Sequence, residues 1–246
     1  MNQKTALQLL ALNHKFYQTF AGDFSETRQR LQPGVIQVLE KTGTGEKILD
    51  LGCGNGEVAR KLMEQSNPPI YTGVDFSQKF LAETPTDLPP GSRCEFIHLD
   101  LTTTDWVSQL PCRKYNLVFA FAVLHHLPGD KLRRQVCANI RRHLTGDGVF
   151  YHSNWQFLKS PRLRKRIQPW SSIDLNSDQV DEGDYLLDWK RGGYGLRYVH
   201  YFTSRELKLL AKDTGFEVVD SFYSDGKEGN LALYQKWKPV NSPAQP

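Results

Sequence analysis

The stretch Ile48-Leu49-Asp50-Leu51-Gly52-Cys53-Gly54-Asn55-Gly56 joins a short apolar run to a turn that contains three alternating glycines. A helical pattern follows over residues 57–65. Glycine lets the backbone turn sharply and approach a ligand without interference from a Cβ atom. A plain turn between a strand and a helix seldom needs three such positions. The stretch therefore predicts a site for a nucleotide-sized ligand at the carboxyl end of a parallel strand.

Short apolar runs alternate with helical patterns downstream of this turn. The predicted strands cover residues 70–75, 94–98, 115–121 and 149–154, and an amphipathic helix covers 130–144. Such continuous apolar runs are typical of buried parallel strands. Two more strands, at 216–223 and 230–237, are joined by a tight link and indicate an antiparallel pair at one edge. The pattern predicts an α/β fold with a doubly wound, mostly parallel sheet.

We predict one domain built around the core at residues 45–155. Residues 1–44 form an N-terminal helical cap, with a loop at 22–25, a second helix running to about residue 40, and an apolar stripe at Leu9, Leu12, Phe16 and Phe20. Residues 156–202 break the alternation and are predicted to be a substrate lid, too polar to bury a core of its own. Residues 203–238 hold a helix, opened by a capping box from Thr203 to Glu206, and the strand pair. Residues 239–246 resemble a loose tail.

Composition sets limits on the partners and the compartment. The net charge is +4 in 246 residues, which permits an anionic partner such as RNA without requiring one. No apolar run approaches the roughly 18 residues that span a bilayer, and no secretory signal is indicated, so we expect no membrane association. The cysteines lack Cys-x-x-Cys spacing, which predicts neither a metal site nor disulfides and favours the cytoplasm: Cys53, Cys94, Cys112 and Cys137.

Three acidic positions narrow the identity of the ligand. Glu57 stands where the dinucleotide pattern requires glycine, and an acid at a helix start would repel a pyrophosphate. Asp75 ends the second predicted strand, where a carboxylate can accept hydrogen bonds from both ribose hydroxyls; the alternative is a helix N-cap. Asp100 follows the third strand and could accept from an adenine amino group, unless it is simply solvated. The spacing favours an adenosine-containing ligand without a pyrophosphate.

Together with Asp75, Asp100-Leu101 and the stretch 116–127, the glycine turn resembles the motifs of class I methyltransferases that use S-adenosyl-L-methionine (SAM). The resemblance implies a Rossmann-like sheet of seven strands with the last one antiparallel. It makes Asp75 the ribose acid, places Asp100-Leu101 at the adenine edge, and puts the backbone of 116–127 beside the methionine end. The implied cofactor-binding residues are Asp50, Gly52, Cys53, Gly54, Asn55, Gly56, Asp75, Phe76, Ser77, Asp100, Leu101, Ala120, Phe121 and Ala122.

Four further segments resemble a narrower family, the tRNA wobble-uridine carboxymethyl methyltransferases, which include the methyltransferase domain of the AlkB-type fusion enzyme. The segments are Phe24-Ser25-Glu26-Thr27-Arg28, His125-His126, Tyr185-Leu186-Leu187-Asp188-Trp189 and Arg197-Tyr198-Val199-His200-Tyr201-Phe202. This family methylates a carboxylate on the modified uridine to give a methyl ester. The resemblance implies tRNA as a partner and, as in the eukaryotic enzymes, a small zinc-binding activator subunit. The implied catalytic residues are Arg28, His126, Arg197, Tyr198 and His200.

The chemistry of the implied acceptor suits these side chains. A carboxylate is already ionised near neutral pH, so it needs orientation rather than a strong base. Arg28 or Arg197 could orient it by bidentate hydrogen bonds, while His126, His200 and Tyr198 could position the uracil or ribose. The basic run at 159–166 is either a phosphate-tracking segment or a solvated lid, and Arg134 and Arg141 could add charge to it.

Other interpretations of these residues and of the function stay open. Tyr185 and Trp189 could be core residues, and Arg197 could pair with a surface acid. The sequence departs from the tRNA family at Asp23, where histidine is usual, and after Trp155, where Gln156-Phe157 replaces Glu-Gln. Because one fold serves many substrates, a small-molecule methyltransferase and a non-catalytic SAM- or nucleotide-binding module remain alternatives to an RNA-directed carboxylate O-methyltransferase.

Overall fold

The computed structural model of the chain describes residues 1–26, 30–43 and 45–240, the side chains of 24–26 excepted. Its strands are β1 Lys47–Leu51, β2 Ile70–Asp75, β3 Arg93–His98, β4 Tyr115–Phe121, β5 Leu144–Trp155, β6 Ile167–Gln168, β7 Asp184–Trp189, β8 Gly195–His200, β9 Phe216–Ser224 and β10 Ala232–Pro239. Its α-helices are α1 Gln3–Thr19, α2 Ala21–Glu26, α3 Pro33–Leu39, α4 Glu57–Met63, α5 Gln78–Leu81, α6 Asp130–His143, α7 Pro161–Arg164 and α8 Ser204–Asp213.

Seven strands form the main sheet in the order β3-β2-β1-β4-β5-β10-β9. β10 runs antiparallel to both of its neighbours, and the other pairings are parallel. The strand order reverses between β1 and β4, and ligands of such sheets bind in the crevice at the carboxyl ends of the strands at that point. The predicted doubly wound sheet of seven strands, with the last one antiparallel, is confirmed.

The inner strands β1, β2, β4 and β5 are buried on both faces, which explains why they contain continuous apolar runs. Ile48 and Leu49 point to opposite faces of β1, and each is fully buried. Leu49 packs in a cluster that includes Val136 of α6 and Leu207 of α8. Ile48 packs on the other face in a cluster that includes Leu62 of α4. The core therefore holds β1 rigidly from both sides and fixes the position of the turn that follows it.

Residues 156–202 differ from the prediction, because they form a second sheet in the order β6-β7-β8, with antiparallel pairings. Leu187 of β7 and Val199 of β8 pack with Phe157 and Leu163 in a small core of their own. On the opposite face, Tyr198 packs with Leu9 of α1 and with Leu175. The expectation that this segment is too polar to bury a core was wrong, since its apolar residues lie on both faces of a short hairpin and each face has a partner.

Three smaller predictions are also revised. Residues 22–25, predicted to be a loop, lie within α2. The capping box is half formed: the Thr203 hydroxyl accepts from the Glu206 amide, but the Glu206 carboxylate pairs with His200 instead. Of the predicted tail, Pro239 ends β10 and the Val240 amide donates to the Gly215 carbonyl, while residues 241–246 lie outside the described part of the chain. Among the described helices, none has the length and apolar character needed to cross a bilayer.

Candidate functional site

The glycine turn after β1 adopts a backbone that only glycine takes without strain. Gly52, Gly54 and Gly56 have φ values of 69°, 56° and 80°, all in the left-handed region. At Gly52 a Cβ atom would also come within 2.6 Å of the Val123 side chain. At Gly54 a Cβ atom would meet nothing within 4 Å, so the turn is open on that side. All three positions thus require the left-handed backbone. Gly52 and Gly56 also allow close packing, since a Cβ atom at Gly56 would lie 2.8 Å from the Pro85 side chain.

A cavity of about 210 Å³ lies along the carboxyl ends of β3, β2, β1 and β4. In the order of the strands, its floor is formed by Asp100, Asp75, Asp50 and then Ala122 and Val123. Helix α1 supplies another wall through Leu10, Asn13, His14 and Tyr17. The cavity therefore has an acidic side, at β1 to β3, and a second side at the end of β4, called here the acceptor side after the role that the sequence predicts for His126.

Asp75 connects the glycine turn to the end of β2. Its Oδ2 accepts from the Gly54 amide at 3.0 Å, and its Oδ1 accepts from the Ser77 amide at 2.8 Å. Burial raises the pKa of Asp75 to about 6, and these two hydrogen bonds oppose that shift. The N-cap of α5 is Ser77, whose hydroxyl accepts from the Phe80 amide, so the alternative role of Asp75 as that cap is wrong. Each carboxylate oxygen keeps a lone pair for a ligand hydroxyl.

Asp50, at the end of β1, is the second buried carboxylate of the acidic side. The Tyr71 hydroxyl donates to its Oδ2 at 2.6 Å. Burial raises the pKa of Asp50 to about 7, and the negative charge of Asp75 adds to the shift against the hydrogen bond from Tyr71. A ligand that carries positive charge favours the ionised form of both groups. The acidic side is therefore suited to a cationic ligand.

The structure places most of the predicted cofactor residues in the wall of the cavity. These are Asp50, Gly52, Cys53, Gly54, Asn55, Asp75, Phe76, Asp100, Leu101, Phe121 and Ala122. Gly56, Ser77 and Ala120 lie behind the wall. Gly56 is the N-cap of α4, Ser77 caps α5, and Ala120 is fully buried in the core. These three residues shape the site without lining it.

His126 lies at the acceptor side and is held from three directions. Its Nε2 shares a hydrogen bond with the Tyr17 hydroxyl at 2.7 Å, and its Nδ1 lies 3.4 Å from the Tyr198 carbonyl oxygen. The Asn13 side chain donates to the His126 carbonyl and to the Tyr198 carbonyl, and it accepts from the Tyr198 amide. Asn13 thereby joins α1, β8 and the end of β4, and it fixes the imidazole beside the cavity.

The sequence interpretation missed the contribution of α1 to the site. The residues Leu10, Asn13, His14 and Tyr17 recur at steps of three, one and three, which places them on one helical face. This face lies beside the apolar stripe that includes Leu9 and Phe16. From that stripe the sequence interpretation assigned α1 to packing only. His14 stacks on Phe76 at 4.5 Å between ring centroids and lies 3.5 Å from Asp100. A second periodic stripe was thus the signal that could have located these residues.

The predicted acceptor residues of β8 do not lie together, because successive side chains of a strand point to opposite faces. Tyr198 and His200 share one face in a buried network, in which Asp184 Oδ1 lies 2.7 Å from both the Tyr198 hydroxyl and His200 Nδ1. Neither side chain lines the cavity. The structure therefore does not bring these two side chains to the cavity wall, and their predicted role in catalysis stays a prediction.

Arg197 points to the other face of β8 and is buried. Its guanidinium lies over three aromatic rings, with centroid distances of 4.9 Å to Trp155, 5.3 Å to Phe16 and 5.7 Å to Trp189. The Arg197 side chain therefore sits in an aromatic cage, where its cation faces the three rings. Along β8, Arg197 directly precedes Tyr198, whose carbonyl oxygen accepts from the Asn13 side chain.

The region around α2 contains Asp23, Arg28 and Arg30. Arg28 lies outside the described residues, so its role stays a prediction. Arg30, which the sequence interpretation did not select, lines the cavity. Asp23, the departure from the tRNA family, lies against Gly192 in the β7–β8 turn, where a Cβ atom would collide with the Asp23 carboxylate. Asp23 therefore packs against the hairpin that carries Arg197.

A nucleotide-sized cavity at the carboxyl edge of a doubly wound sheet, with a glycine turn and a buried acid on successive strands, defines an adenosine-binding α/β protein. The chain belongs to the methyltransferase domain family, whose sequence profile matches residues 24–221. It is 27% identical to a Schizosaccharomyces pombe protein named tRNA (carboxymethyluridine(34)-5-O)-methyltransferase, over 85% of this chain and 90% of that protein.

Solved structures share the fold. A SAM-dependent methyltransferase from Methanosarcina mazei superposes with a TM-score of 0.64 at 20% identity, covering 86% of this chain and 99% of that one. A Burkholderia thailandensis 1,6-didemethyltoxoflavin-N1-methyltransferase, solved with 1,6-didemethyltoxoflavin and S-adenosylhomocysteine, also has a TM-score of 0.64, at 18% identity, over 98% of this chain and 91% of that one. The chain is a SAM-dependent methyltransferase.

The residues present fit this cofactor. The open side of Gly54 leaves room for a ligand against the backbone, and Asp75 offers two oxygens at the place where a ribose would lie. Asp50 and Asp75 together give the cavity a negative potential that suits a sulfonium cation. The stacked pair of His14 and Phe76 closes the side next to Asp100, where the adenine is expected.

Proposed function

We propose that the chain methylates a carboxylate on a modified uridine at the wobble position of tRNA. The observation that carries the proposal is the contrast between the two sides of the cavity. Its buried carboxylates lie at the carboxyl ends of β1 and β2, whereas Tyr17 and His126 share a hydrogen bond at the end of β4. Arg30 adds a cation to the same cavity. An anionic acceptor therefore suits a cavity that is lined by Arg30 and that offers hydrogen bonds from Tyr17 and His126 at the end of β4.

The proposed reaction needs no proton transfer. SAM supplies a methyl group activated by its sulfonium sulfur. An oxygen of the acceptor carboxylate forms a bond to the methyl carbon as the carbon–sulfur bond breaks, which leaves a methyl ester and S-adenosylhomocysteine. Tyr17 and His126 orient the carboxylate through hydrogen bonds, and the Asn13 contacts hold the imidazole in place. Positioning of this kind can lower a barrier by about 7–11 kcal/mol in favourable cases.

The surface around the second sheet supports an RNA acceptor. Lys159, Arg162, Arg164 and Lys165 are exposed there, so their charges are available to phosphates. Arg134 and Arg141 do not extend this surface: Arg134 pairs with Asp130 and Asp213, and Arg141 donates to the carbonyls of Gly215 and Val240. The proposed path for the RNA backbone therefore follows α7 rather than α6. The name of the Schizosaccharomyces pombe relative points to the same class of acceptor.

The test is a partition experiment with methyl-labelled SAM. The purified chain is incubated with total tRNA and, separately, with a small-molecule extract, each with and without cell lysate as a source of the activator subunit that the tRNA family uses. We expect label on tRNA that mild alkali releases, because a methyl ester hydrolyses whereas an N- or C-methyl group does not. Label that enters only small molecules, or that stays on tRNA after alkali, would contradict the proposal.

A further inference from the structure

Three tyrosines and a lysine form a surface beside the second sheet, called here the tyrosine surface: Tyr185, Tyr201, Tyr223 and Lys159. Tyr185 and Tyr201 each meet the buried ring of Phe157 edge-on, with centroid distances of 5.3 Å and 5.6 Å. Lys159 Nζ lies 3.3 Å from the centre of the Tyr223 ring. Burial raises the pKa of the Tyr201 hydroxyl, and the proximity of Tyr223 and then Tyr185 adds to this shift. The three rings are thus close neighbours.

The tyrosine surface lies at the same edge of the main sheet as the cavity. β9 is antiparallel to β10, which is antiparallel to β5, so β9 and β5 run in the same direction. Tyr223 is near the carboxyl end of β9, and Phe157 follows the carboxyl end of β5. Because the cavity opens at the carboxyl ends of the strands, a chain that enters it from this side would cross these rings.

The composition of the surface fits single-stranded nucleic acid. Tyr223 is 46% exposed and lies on β9, the edge strand of the main sheet. Lys159 begins the exposed basic segment that continues through Arg162, Arg164 and Lys165. Aromatic rings that stack bases, next to cations that follow phosphates, are the shared features of sites for single-stranded RNA. A protein partner would not require this density of positive charge.

We propose that the tyrosine surface stacks a base next to the acceptor nucleotide, with Tyr223 as the stacking ring and Lys159 moving from the ring to a phosphate. This inference rests on the proposed function, since it names the subsite that holds the flanking nucleotides of an RNA acceptor. Tyr185 and Tyr201 support the base through their edges and hydroxyls, because Phe157 fixes both rings from below. The subsite lies outside the SAM cavity, so its loss leaves cofactor binding unchanged.

The test measures binding of a fluorescent oligouridylate of about 12 nucleotides by anisotropy, a length in the range that single-strand sites cover. Tyr223→Ala is expected to weaken the Kd about tenfold, and Tyr223→Phe is expected to keep it near the wild-type value, since the ring remains. Lys41→Ala is the matched control, because Lys41 lies over Phe222 on the other face of β9, at 5.7 Å from the ring centre. SAM affinity stays constant in all three variants.

The salt dependence of the Kd for RNA distinguishes base stacking from contacts between cations and phosphates. Arg162→Ala is expected to reduce the slope of log Kd against log salt, whereas Tyr223→Ala keeps the slope and shifts the line. Equal affinity of Tyr223→Ala and wild type would overturn the inference, as would a Tyr223-dependent self-association seen by gel filtration. If tRNA accepts the label while Tyr223→Ala changes neither the Kd for the oligouridylate nor the KM for tRNA, the inferred subsite is refuted and the proposed function stands. Label that enters only small molecules refutes the proposed function itself.

Discussion

Removal of the Asp75 carboxylate is the substitution with the most definite consequence for cofactor binding. If both carboxylate oxygens accept from ribose hydroxyls, two hydrogen bonds to a charged group are lost, each worth about 1.5–3 kcal/mol. Even the lower value predicts that Asp75→Ala weakens SAM binding about 100-fold or more. Isothermal titration with SAM and with S-adenosylhomocysteine measures the effect directly.

The same substitution also loosens the turn, so stability must be measured beside affinity. The Gly54 and Ser77 amides lose their acceptor, and each buried unsatisfied group costs about 1–3 kcal/mol. We therefore expect a lower Tm for Asp75→Ala. Asp100→Ala is the matched control, because Asp100 also lines the cavity but its side chain is 30% exposed, and its removal is expected to change affinity far less.

The pH dependence of stability and of SAM affinity tests the role of Asp75 independently. The pKa of Asp75 is raised to about 6, above its ordinary value near 4. With the raised pKa, the stability that Asp75 contributes is full below about pH 4 and declines as pH rises through about 6. SAM affinity should change in the opposite direction and increase from about pH 5 to about pH 7, as the carboxylate ionises. Wild-type affinity in Asp75→Ala, with a flat pH profile in both proteins, would refute the assignment of Asp75 to the cofactor.

Three further predictions concern the network around α1 and β8. Tyr17→Phe should lower kcat about tenfold or more while SAM affinity stays unchanged in titration, because it removes the hydrogen bond to His126; a lower SAM affinity would place Tyr17 with the cofactor. Asn13→Ala should destabilise the fold by about 2–4 kcal/mol in denaturant titration, since the buried Tyr198 amide loses its acceptor, and an unchanged midpoint would contradict this. His200→Gln should abolish a loss of stability that wild type shows as pH rises above about 6.5. Burial lowers the His200 pKa, but hydrogen bonds to the Asp184 and Glu206 carboxylates outweigh it and raise the pKa, so the stabilisation is full below about pH 6.5 and is lost as pH rises through the raised value; equal pH profiles of stability in the two proteins would contradict this.

The main sheet and the acidic side of the cavity could be predicted from the sequence because local sequence patterns determine them. The glycine turn requires left-handed backbone at fixed positions, and strands that are covered on both faces are continuous apolar runs. The acids that line the cavity follow such runs directly, so the chain itself marks where each strand ends. Asp75 and Asp100 could therefore be placed at one edge of the sheet from their spacing alone.

The acceptor side could not be predicted in the same way, because it depends on contacts between distant segments. Asn13 binds the backbone of Tyr198, a pairing across 185 positions that no local pattern indicates. Strand alternation in β8 separates Arg197 from Tyr198 and His200, although all three stand together in the sequence. The Glu206 carboxylate leaves the expected capping box because the buried His200 lies within reach. Each difference arises from the second sheet. This sheet was not predicted, because residues 156–202 have a polar composition.

The most direct test of an RNA-directed carboxylate methyltransferase is mass spectrometry of tRNA nucleosides before and after the reaction. Total tRNA is treated with mild alkali to free its ester-masked carboxylates, incubated with SAM and the enzyme, and digested to nucleosides. We predict that a carboxymethylated uridine decreases while its methyl ester appears in equal amount, and that Asp75→Ala produces neither change. An unchanged nucleoside profile with the active enzyme, together with methylation of a small molecule, would contradict the proposed acceptor.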